Sequence, residues 1–124
     1  MGTAFLSCSE SIIHQEHRKR LLSSTDEMTR LTKIFTGRMA RSLKNEFLLE
    51  MEKAHFPVLD DYWIHSALVK DIREEAKKQN DPEYMSLWAG QASALCRNKP
   101  ASLLFKELLD EAHAQLLKMT QKII

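Results

Sequence analysis

The chain has 124 residues, of which 44% are hydrophobic and 28% are charged, so its composition is that of one ordinary globular domain. Eighteen Lys and Arg residues stand against 17 Asp and Glu residues, a balance that argues against a nucleic-acid-binding surface and a disordered, charge-swollen tail. No apolar run approaches the ~20 residues that a membrane helix needs, and the start lacks the pattern of a signal peptide.

The first half of the chain predicts two helices and a strand between them. Residues 1–6 have the sequence of a strand end that turns into a short helix, and residues 14–23 predict a polar helix. Residues 29–35 predict a short strand, because polar and β-branched or apolar residues alternate there. After Gly37, residues 38–54 predict a second long helix, because apolar residues recur at spacings of three and four: Ala40, Leu43, Phe47, Met51 and Ala54.

The second half predicts further helices. One apolar stripe predicts a helix before the turn at residues 80–82; it consists of Ile64, Leu68, Ile72 and Ala76. Residues 85–96 are apolar on most sides, and Pro100 suits the first turn of a last helix. That helix carries a long stripe of Leu104, Leu108, Ala112, Leu116 and Met119. The predicted fold class is therefore mainly α, with one or two short strands.

Residue types that often carry chemistry are scattered. Cys8 and Cys96 form neither a disulfide framework nor a zinc pattern, which predicts reduced thiols in a cytoplasmic protein. His14 and His17 have a helical spacing compatible with a metal ion, but no third ligand stands at motif spacing. We therefore predict no metal site and assign no catalytic residue.

Two glycine-centred segments precede the middle of the chain. Gly2 and Thr3 combine a backbone that can approach a phosphate closely with a hydroxyl donor. Arg38 and Arg41 follow Gly37 and would share one helix face, which favours ion pairs with carboxylates over substrate binding.

A third segment lies near residue 90. Trp88 and Gln91 flank the small residues Ala89 and Gly90, which would let the backbone approach a flat ring closely. Tight packing between helices, with Trp88 in the core, is the alternative interpretation.

In this order and spacing, the three segments resemble the C-terminal part of the nitronate monooxygenases, formerly called 2-nitropropane dioxygenases. The resemblance covers nearly the whole chain. Two positions depart from the family, which often has Pro where Met39 stands and Gly where Ser42 stands. The residues that carry the resemblance are Met1-Gly2-Thr3-Ala4-Phe5-Leu6, then Phe35-Thr36-Gly37-Arg38-x-Ala40-Arg41-x-Leu43-x-Asn45-x-Phe47, then Tyr84-Met85-Ser86-Leu87-Trp88-Ala89-Gly90-Gln91.

The resemblance implies a fold and a domain division. The chain would be the helical C-terminal domain of a TIM-barrel flavoenzyme, with the barrel largely missing. Residues 1–8 would be the remnant of the last barrel strand with the phosphate-site turn, and residues 9–124 would form a helical domain on the substrate side.

The resemblance also implies a cofactor, an activity and site residues. FMN would place its phosphate at Met1, Gly2 and Thr3, and the segment Trp88, Ala89, Gly90 and Gln91 would line the flavin and substrate cavity. The parent enzyme would oxidise alkyl nitronates with oxygen to a carbonyl compound and nitrite. The family's catalytic histidine would lie in the missing barrel, so the isolated chain is expected to be inactive.

Two alternatives remain open. The chain is also similar to the flavin-type enoyl-acyl carrier protein reductases, which have a related serine-to-glutamine segment. A non-enzymatic helical module that binds another protein is the second alternative. Helices shaped to cover a barrel should expose a large apolar surface, which would contact the missing barrel or a second copy, whereas a self-sufficient module should not.

Overall fold

The computed structural model describes residues 1–121. Residues 122–124, the end of the helical domain predicted for residues 9–124, lie outside the described residues. Within the described chain, two short 3₁₀ turns, Asp26–Met28 and Ser93–Leu95, accompany the regular elements. The predicted class, mainly α with a short strand pair, is confirmed. The elements are α1 (Gly2–Leu6), α2 (Gln15–Leu22), β1 (Thr29–Thr32), β2 (Ala40–Leu43), α3 (Glu46–Lys53), α4 (Tyr62–Leu68), α5 (Lys70–Gln79) and α6 (Ala101–Gln121).

The start of the described chain is helical rather than extended, so the strand end predicted within residues 1–6 is absent there. Ala4, Phe5 and Leu6 are consecutive apolar residues, a pattern that does not distinguish a strand from a helix. The helix α1 ends where Ser7 folds its hydroxyl back onto the carbonyl oxygen of Ala4, at 2.9 Å. The division of the chain after residue 8 stays a prediction.

A β-hairpin replaces the first part of the helix predicted for residues 38–54. Strand β2 pairs antiparallel with β1, with Thr29 opposite Leu43 and Thr32 opposite Ala40. The helix α3 begins only after Asn45, whose Oδ1 accepts the N–H of Leu48 at 3.2 Å. Pairing between distant residues therefore overrides the helical spacing of the first part of this segment.

The stripe predicted for residues 64–76 is mostly exposed. The helix is interrupted at Val69, between α4 and α5, and the structure buries Ala76 of the stripe together with His65 and Val69, which are not part of it. The imidazole of His65 fixes this orientation, because its Nε2–H donates to the carbonyl oxygen of Ile34 at 2.7 Å and its Nδ1 accepts the N–H of Leu59 at 3.3 Å.

Two apolar clusters form the core. The first consists of Leu21, Leu43, Ala76, Met85, Leu87 and Ala89. The second consists of Ile34, Phe35, Phe47, Leu48 and Val69. Tyr84 packs against both clusters and donates its hydroxyl to Glu50 at 3.2 Å.

The last helix, α6, packs on the core only through its first two turns. Leu104 is 3% exposed, whereas Leu116 is 60% and Met119 is 62% exposed, and every side chain from Leu109 to Thr120 is exposed. The predicted stripe thus exists along the helix, but beyond Leu108 its described residues are exposed. None of the described helices is both long enough and apolar enough to cross a bilayer.

Candidate functional site

The segment after α5 is extended rather than helical and adds to the hairpin. The N–H of Leu43 donates to the carbonyl oxygen of Leu87 at 2.8 Å, and the N–H of Ala89 donates to that of Arg41 at 3.2 Å. Ser42 is fully buried and donates its hydroxyl to the carbonyl oxygen of Leu87 at 2.9 Å. These bonds fix the position of the Trp88-to-Gln91 segment, and interpreting that segment as a packed helix was wrong.

The start of the chain lies against the end of this segment and against the residues that follow it. The N–H of Gly90 donates to Oγ1 of Thr3 at 2.8 Å, and the thiol of Cys96 contacts the carbonyl oxygen of Thr3 at 3.4 Å. Further along, Ser7 donates its hydroxyl to the carbonyl oxygen of Arg97 at 3.0 Å. The first and third glycine-centred segments, 87 positions apart, therefore meet in the fold.

Four of the seven residues predicted for the site line one cavity of about 400 Å³: Met1, Thr3, Gly90 and Gln91. A Cβ on Gly90 would lie 3.2 Å from Oγ1 of Thr3, so a glycine suits this close contact. The other three residues lie elsewhere. Gly2 is exposed beside open space, and Ala89 is buried in the first cluster.

Trp88 has a mixed environment. Its ring packs edge-on against Phe35 with 5.4 Å between ring centroids, which agrees with the core interpretation. It also lines a second cavity, and its carbonyl oxygen accepts Nε2–H of His17 at 3.0 Å. Trp88 thus does not share the cavity of Thr3 and Gly90.

The sequence analysis missed several residues of the Thr3–Gly90 cavity. Arg97 crosses to α6, where its Nη1 lies 3.1 Å from a carboxylate oxygen of Glu107 and 3.1 Å from one of Glu111. The helical spacing of Glu107 and Glu111, four residues apart, was the available signal for this pair of contacts. These two carboxylates compensate the positive charge of the Arg97 guanidinium at the edge of the cavity.

The start of α1 offers backbone amides and a hydroxyl as donors, and of these only the groups of Thr3 lie at the cavity. The N–H groups of Gly2 and Thr3 open α1, so they have no acceptor inside the helix. Thr3 accepts from Gly90 and keeps its own hydroxyl proton free to donate. Residues 1–121 contain no cluster of three or more His, Cys, Asp or Glu side chains that would hold a metal ion.

The arginines after Gly37 are structural. Arg41 lies on β2 and donates from Nη1 to Oγ1 of Thr29 at 3.0 Å, while the guanidinium of Arg38 lies 5.9 Å from the ring centroid of Tyr62. They do not share a helix face, because Arg41 lies in the strand β2 and Arg38 lies in the turn before it.

The protonation of His17 makes the free energy of unfolding depend on pH. Burial lowers the pKa of its imidazole, the charge of His14 adds to this effect, and the hydrogen bond to Trp88 opposes it. An unfolded chain therefore takes up a proton as the pH falls through about 6.5, while the native imidazole stays neutral. The free energy of unfolding is then highest above that pH and decreases below it.

We expect His17→Gln to reduce this pH dependence, because a glutamine amide donates to Trp88 without titrating. Urea unfolding at pH 7.5 and pH 5.5 measures the effect. The exposed His113→Gln variant is the control and should behave as the parent chain does. Equal decreases in the parent and in His17→Gln would contradict the assignment.

Comparison with known proteins places this geometry in context. The sequence profile of the family described as nitronate monooxygenase matches residues 1–111. A probable nitronate monooxygenase of Bacillus subtilis (strain 168) is 34% identical over 119 residues, which are 96% of this chain and 33% of the relative. A probable nitronate monooxygenase of Staphylococcus aureus (strain Newman) is 32% identical over 90% of this chain and 31% of its own length. The chain thus spans about a third of the length of these relatives.

Solved structures agree. A nitroalkane oxidase from Streptomyces ansochromogenes superimposes with a TM-score of 0.82 and 39% identity, over 94% of this chain and 33% of that one. FabK from Thermotoga maritima superimposes with a TM-score of 0.76 over 97% of this chain and 38% of that one, and its 22% identity supports the fold alone.

Proposed function

This chain belongs to the nitronate monooxygenase family, and we propose that it forms the phosphate end and the helical cover of an FMN-dependent enzyme that oxidises alkyl nitronates. Oxygen accepts the electrons, and a carbonyl compound and nitrite are the products. The observation that carries the proposal is the hydrogen bond from Gly90 to Thr3, which joins two of the three family-like segments at one cavity. We place the enzyme in the cytoplasm, because both cysteines are free.

The residues at the start of the chain fit an FMN phosphate. A phosphate accepts several hydrogen bonds, and the backbone N–H groups of Gly2 and Thr3 at the start of α1, with the Thr3 hydroxyl, are donors of the kind that it needs. A Cβ built on Gly2 meets no atom within 4 Å, so there is room beside its backbone for a bulky group. Bound flavin would supply the electron-transfer chemistry, and these residues would hold its phosphate.

The exposed apolar surfaces support contact with a larger body. Leu116 and Met119 on α6 are 60% and 62% exposed. An apolar groove of about 690 Å³ lies between α1 and α6, with Phe5 and Phe105 in its lining. We propose that a β/α barrel, absent from this sequence, covers these surfaces and supplies the catalytic histidine.

The isolated chain should bind FMN only weakly. Two or three hydrogen bonds to a phosphate contribute about 1.5–3 kcal/mol each at best. Association costs at least about 4 kcal/mol, and millimolar affinity needs about 4 kcal/mol net. The chain alone is therefore expected to hold FMN in the millimolar range and to turn over no nitronate.

A chimera tests the proposal. This chain would replace the matching last third of the Bacillus subtilis relative, and the fusion should bind FMN and oxidise an alkyl nitronate. Thr3→Val in the fusion should raise the FMN dissociation constant about tenfold, the equivalent of one charge-assisted hydrogen bond, as measured by flavin fluorescence. Thr3→Ser keeps the hydroxyl, and Thr120→Val changes an exposed threonine far from the site, so both should bind as the fusion does. A folded fusion without FMN, or equal affinity in Thr3→Val, would overturn the proposal.

The same fusion discriminates the second candidate. The alternative activity, that of a flavin-type enoyl-acyl carrier protein reductase, rests on the resemblance of the serine-to-glutamine segment, and the FabK match supports only the fold. Consumption of a reduced nicotinamide with an enoyl thioester, without nitronate oxidation, would favour that reductase. A fusion without flavin that still captures a protein partner would favour a non-enzymatic helical module.

A further inference from the structure

A second cavity, of about 570 Å³, lies between α2, α5 and the extended segment at Trp88. It shares no lining residue with the Thr3–Gly90 cavity. Its size falls within the range of about 300–1,000 Å³ that is usual for small-molecule sites. We therefore asked what chemistry its lining would select.

One wall of this cavity is cationic. Arg73 and Lys77 stand one helical turn apart on α5 and both line it. Arg73 is held in place by bonds from its Nη2 to the carbonyl oxygen and the hydroxyl of Ser66, at 3.1 and 3.2 Å. Within residues 1–121, neither cation is paired with a carboxylate, and no Asp or Glu lines the cavity.

The opposite wall is held by two histidines. His14 accepts the N–H of Glu16 at Nδ1, at 3.2 Å, so its Nε2–H donates to the carbonyl oxygen of Lys77, at 3.2 Å. This bond fixes the start of α2 against α5 beside the cations. His17 fixes the same helix against Trp88 through its bond to the Trp88 carbonyl oxygen, at 3.0 Å. The two imidazoles thereby link α2 to α5 and to the segment at Trp88.

The remaining lining is mostly apolar. Leu6, Ile12, Ile13 and Trp88 contribute to it, Met85 and Leu87 also line it but are only 1% and 0% exposed, and Ser86 adds one polar side chain. A ligand that fits must therefore present a negative charge to α5 and an apolar body to the other residues. A free inorganic anion would leave the apolar part uncovered, and a neutral hydrocarbon would leave the cations without a partner.

We propose that this cavity binds a small organic carboxylate with an unbranched apolar chain. Its carboxylate would accept hydrogen bonds from Lys77 and from the free edge of the Arg73 guanidinium, and its chain would lie against Leu6 and Ile13. The proposal involves no flavin and does not depend on the activity proposed above.

Hexanoate is a suitable probe for the full chain, titrated by nuclear magnetic resonance. We expect saturable shifts at the imidazole of His17 and the indole of Trp88, with no matching shifts at Thr3 and Gly90. Acetate should bind at least tenfold more weakly, because it lacks the methylene groups that hexanoate buries against the apolar lining. Hexan-1-ol and hexylamine, which lack the negative charge, should also bind at least tenfold more weakly.

Charge variants locate the carboxylate. Lys77→Gln should raise the hexanoate dissociation constant about fivefold, because one of the two cations is lost. Lys78→Gln makes the same charge change at the next residue, outside the cavity, and should leave the constant unchanged. No saturable binding of hexanoate, equal binding of hexan-1-ol, or equal effects of the two lysine variants would overturn the proposal.

Discussion

Replacing Asn45 with alanine is expected to lower the free energy of unfolding by about 3–4 kcal/mol, since one helix cap and two buried hydrogen bonds disappear together. Asn45 is 3% exposed. Its Oδ1 caps α3 at Leu48, and its Nδ2 donates to the carbonyl oxygens of Pro82 and Met85 at 3.0 and 2.7 Å. The variant leaves both carbonyl oxygens without this donor and removes two of the hydrogen bonds that join the start of α3 to the segment that leads to Trp88.

Two variants separate the contributions at this position. Asn45→Asp keeps the cap but sets a carboxylate against two carbonyl oxygens, so it should be at least as destabilising as alanine. Asn98→Ala changes an exposed asparagine and should alter stability by less than about 0.5 kcal/mol. Urea unfolding followed by circular dichroism measures all three. A loss below about 1 kcal/mol for Asn45→Ala would show that the two carbonyl bonds do not contribute.

Replacing Gly37 with alanine should cost about 3 kcal/mol or more, because backbone strain and a steric overlap act at the same residue. Gly37 has φ +74°, in the left-handed region that favours glycine. A Cβ at this position would overlap the carbonyl oxygen of Leu59 and would lie 3.3 Å from Cβ of His65. The overlap is with backbone, so no change of side-chain rotamer relieves it, and the loop before α4 must move.

Gly2→Ala is the matched control. Gly2 lies in the first turn of α1, and nothing stands within 4 Å of an added Cβ. Alanine there should be neutral or slightly stabilising, by up to about 1 kcal/mol. If thermal unfolding shifts equally in the two variants, the close packing of Gly37 against Leu59 is not what the position requires.

The elements that depend on local pattern were predicted well. The helix α2 and the strand β1 lie within their predicted ranges, and α6 begins directly after Pro100. In each case the signal is carried by neighbouring residues. The hairpin strand β2 was missed because its stability comes from partners at Thr29–Thr32 and at Leu87, which local spacing does not reveal.

Burial was harder to predict than helicity. The stripe of Ile64, Leu68 and Ile72 has the right spacing, yet the structure buries His65 and Val69 beside it. Two hydrogen bonds of the His65 imidazole to distant backbone groups decide this orientation, and hydrophobic periodicity contains no information about them. An apolar stripe shows which side of a helix can be buried. It does not show that the residues that would cover it belong to the same chain.

The residues of the candidate site stay a prediction, while their relative positions come from the structure. The resemblance assigned Thr3 to the FMN phosphate and Gly90 to the flavin and substrate cavity, and the structure brings the two residues into contact. Trp88 was assigned to the same cavity as Gly90, but its ring packs against Phe35. The contribution of Arg97 was not foreseen, because its position depends on how the chain crosses between Gly90 and α6.

The unpacked end of α6 ties its own folding to recognition. Isolated helices shorter than about 12–15 residues are only marginally stable in water. Arg97 pairs with Glu111 at 3.1 Å, but every side chain of residues 109–120 is exposed. A surface that covers Leu116 and Met119 would therefore stabilise this helix end as it binds. Stabilisation of this helix end and binding of the covering surface would then be coupled. The measured affinity would report the free energy of both.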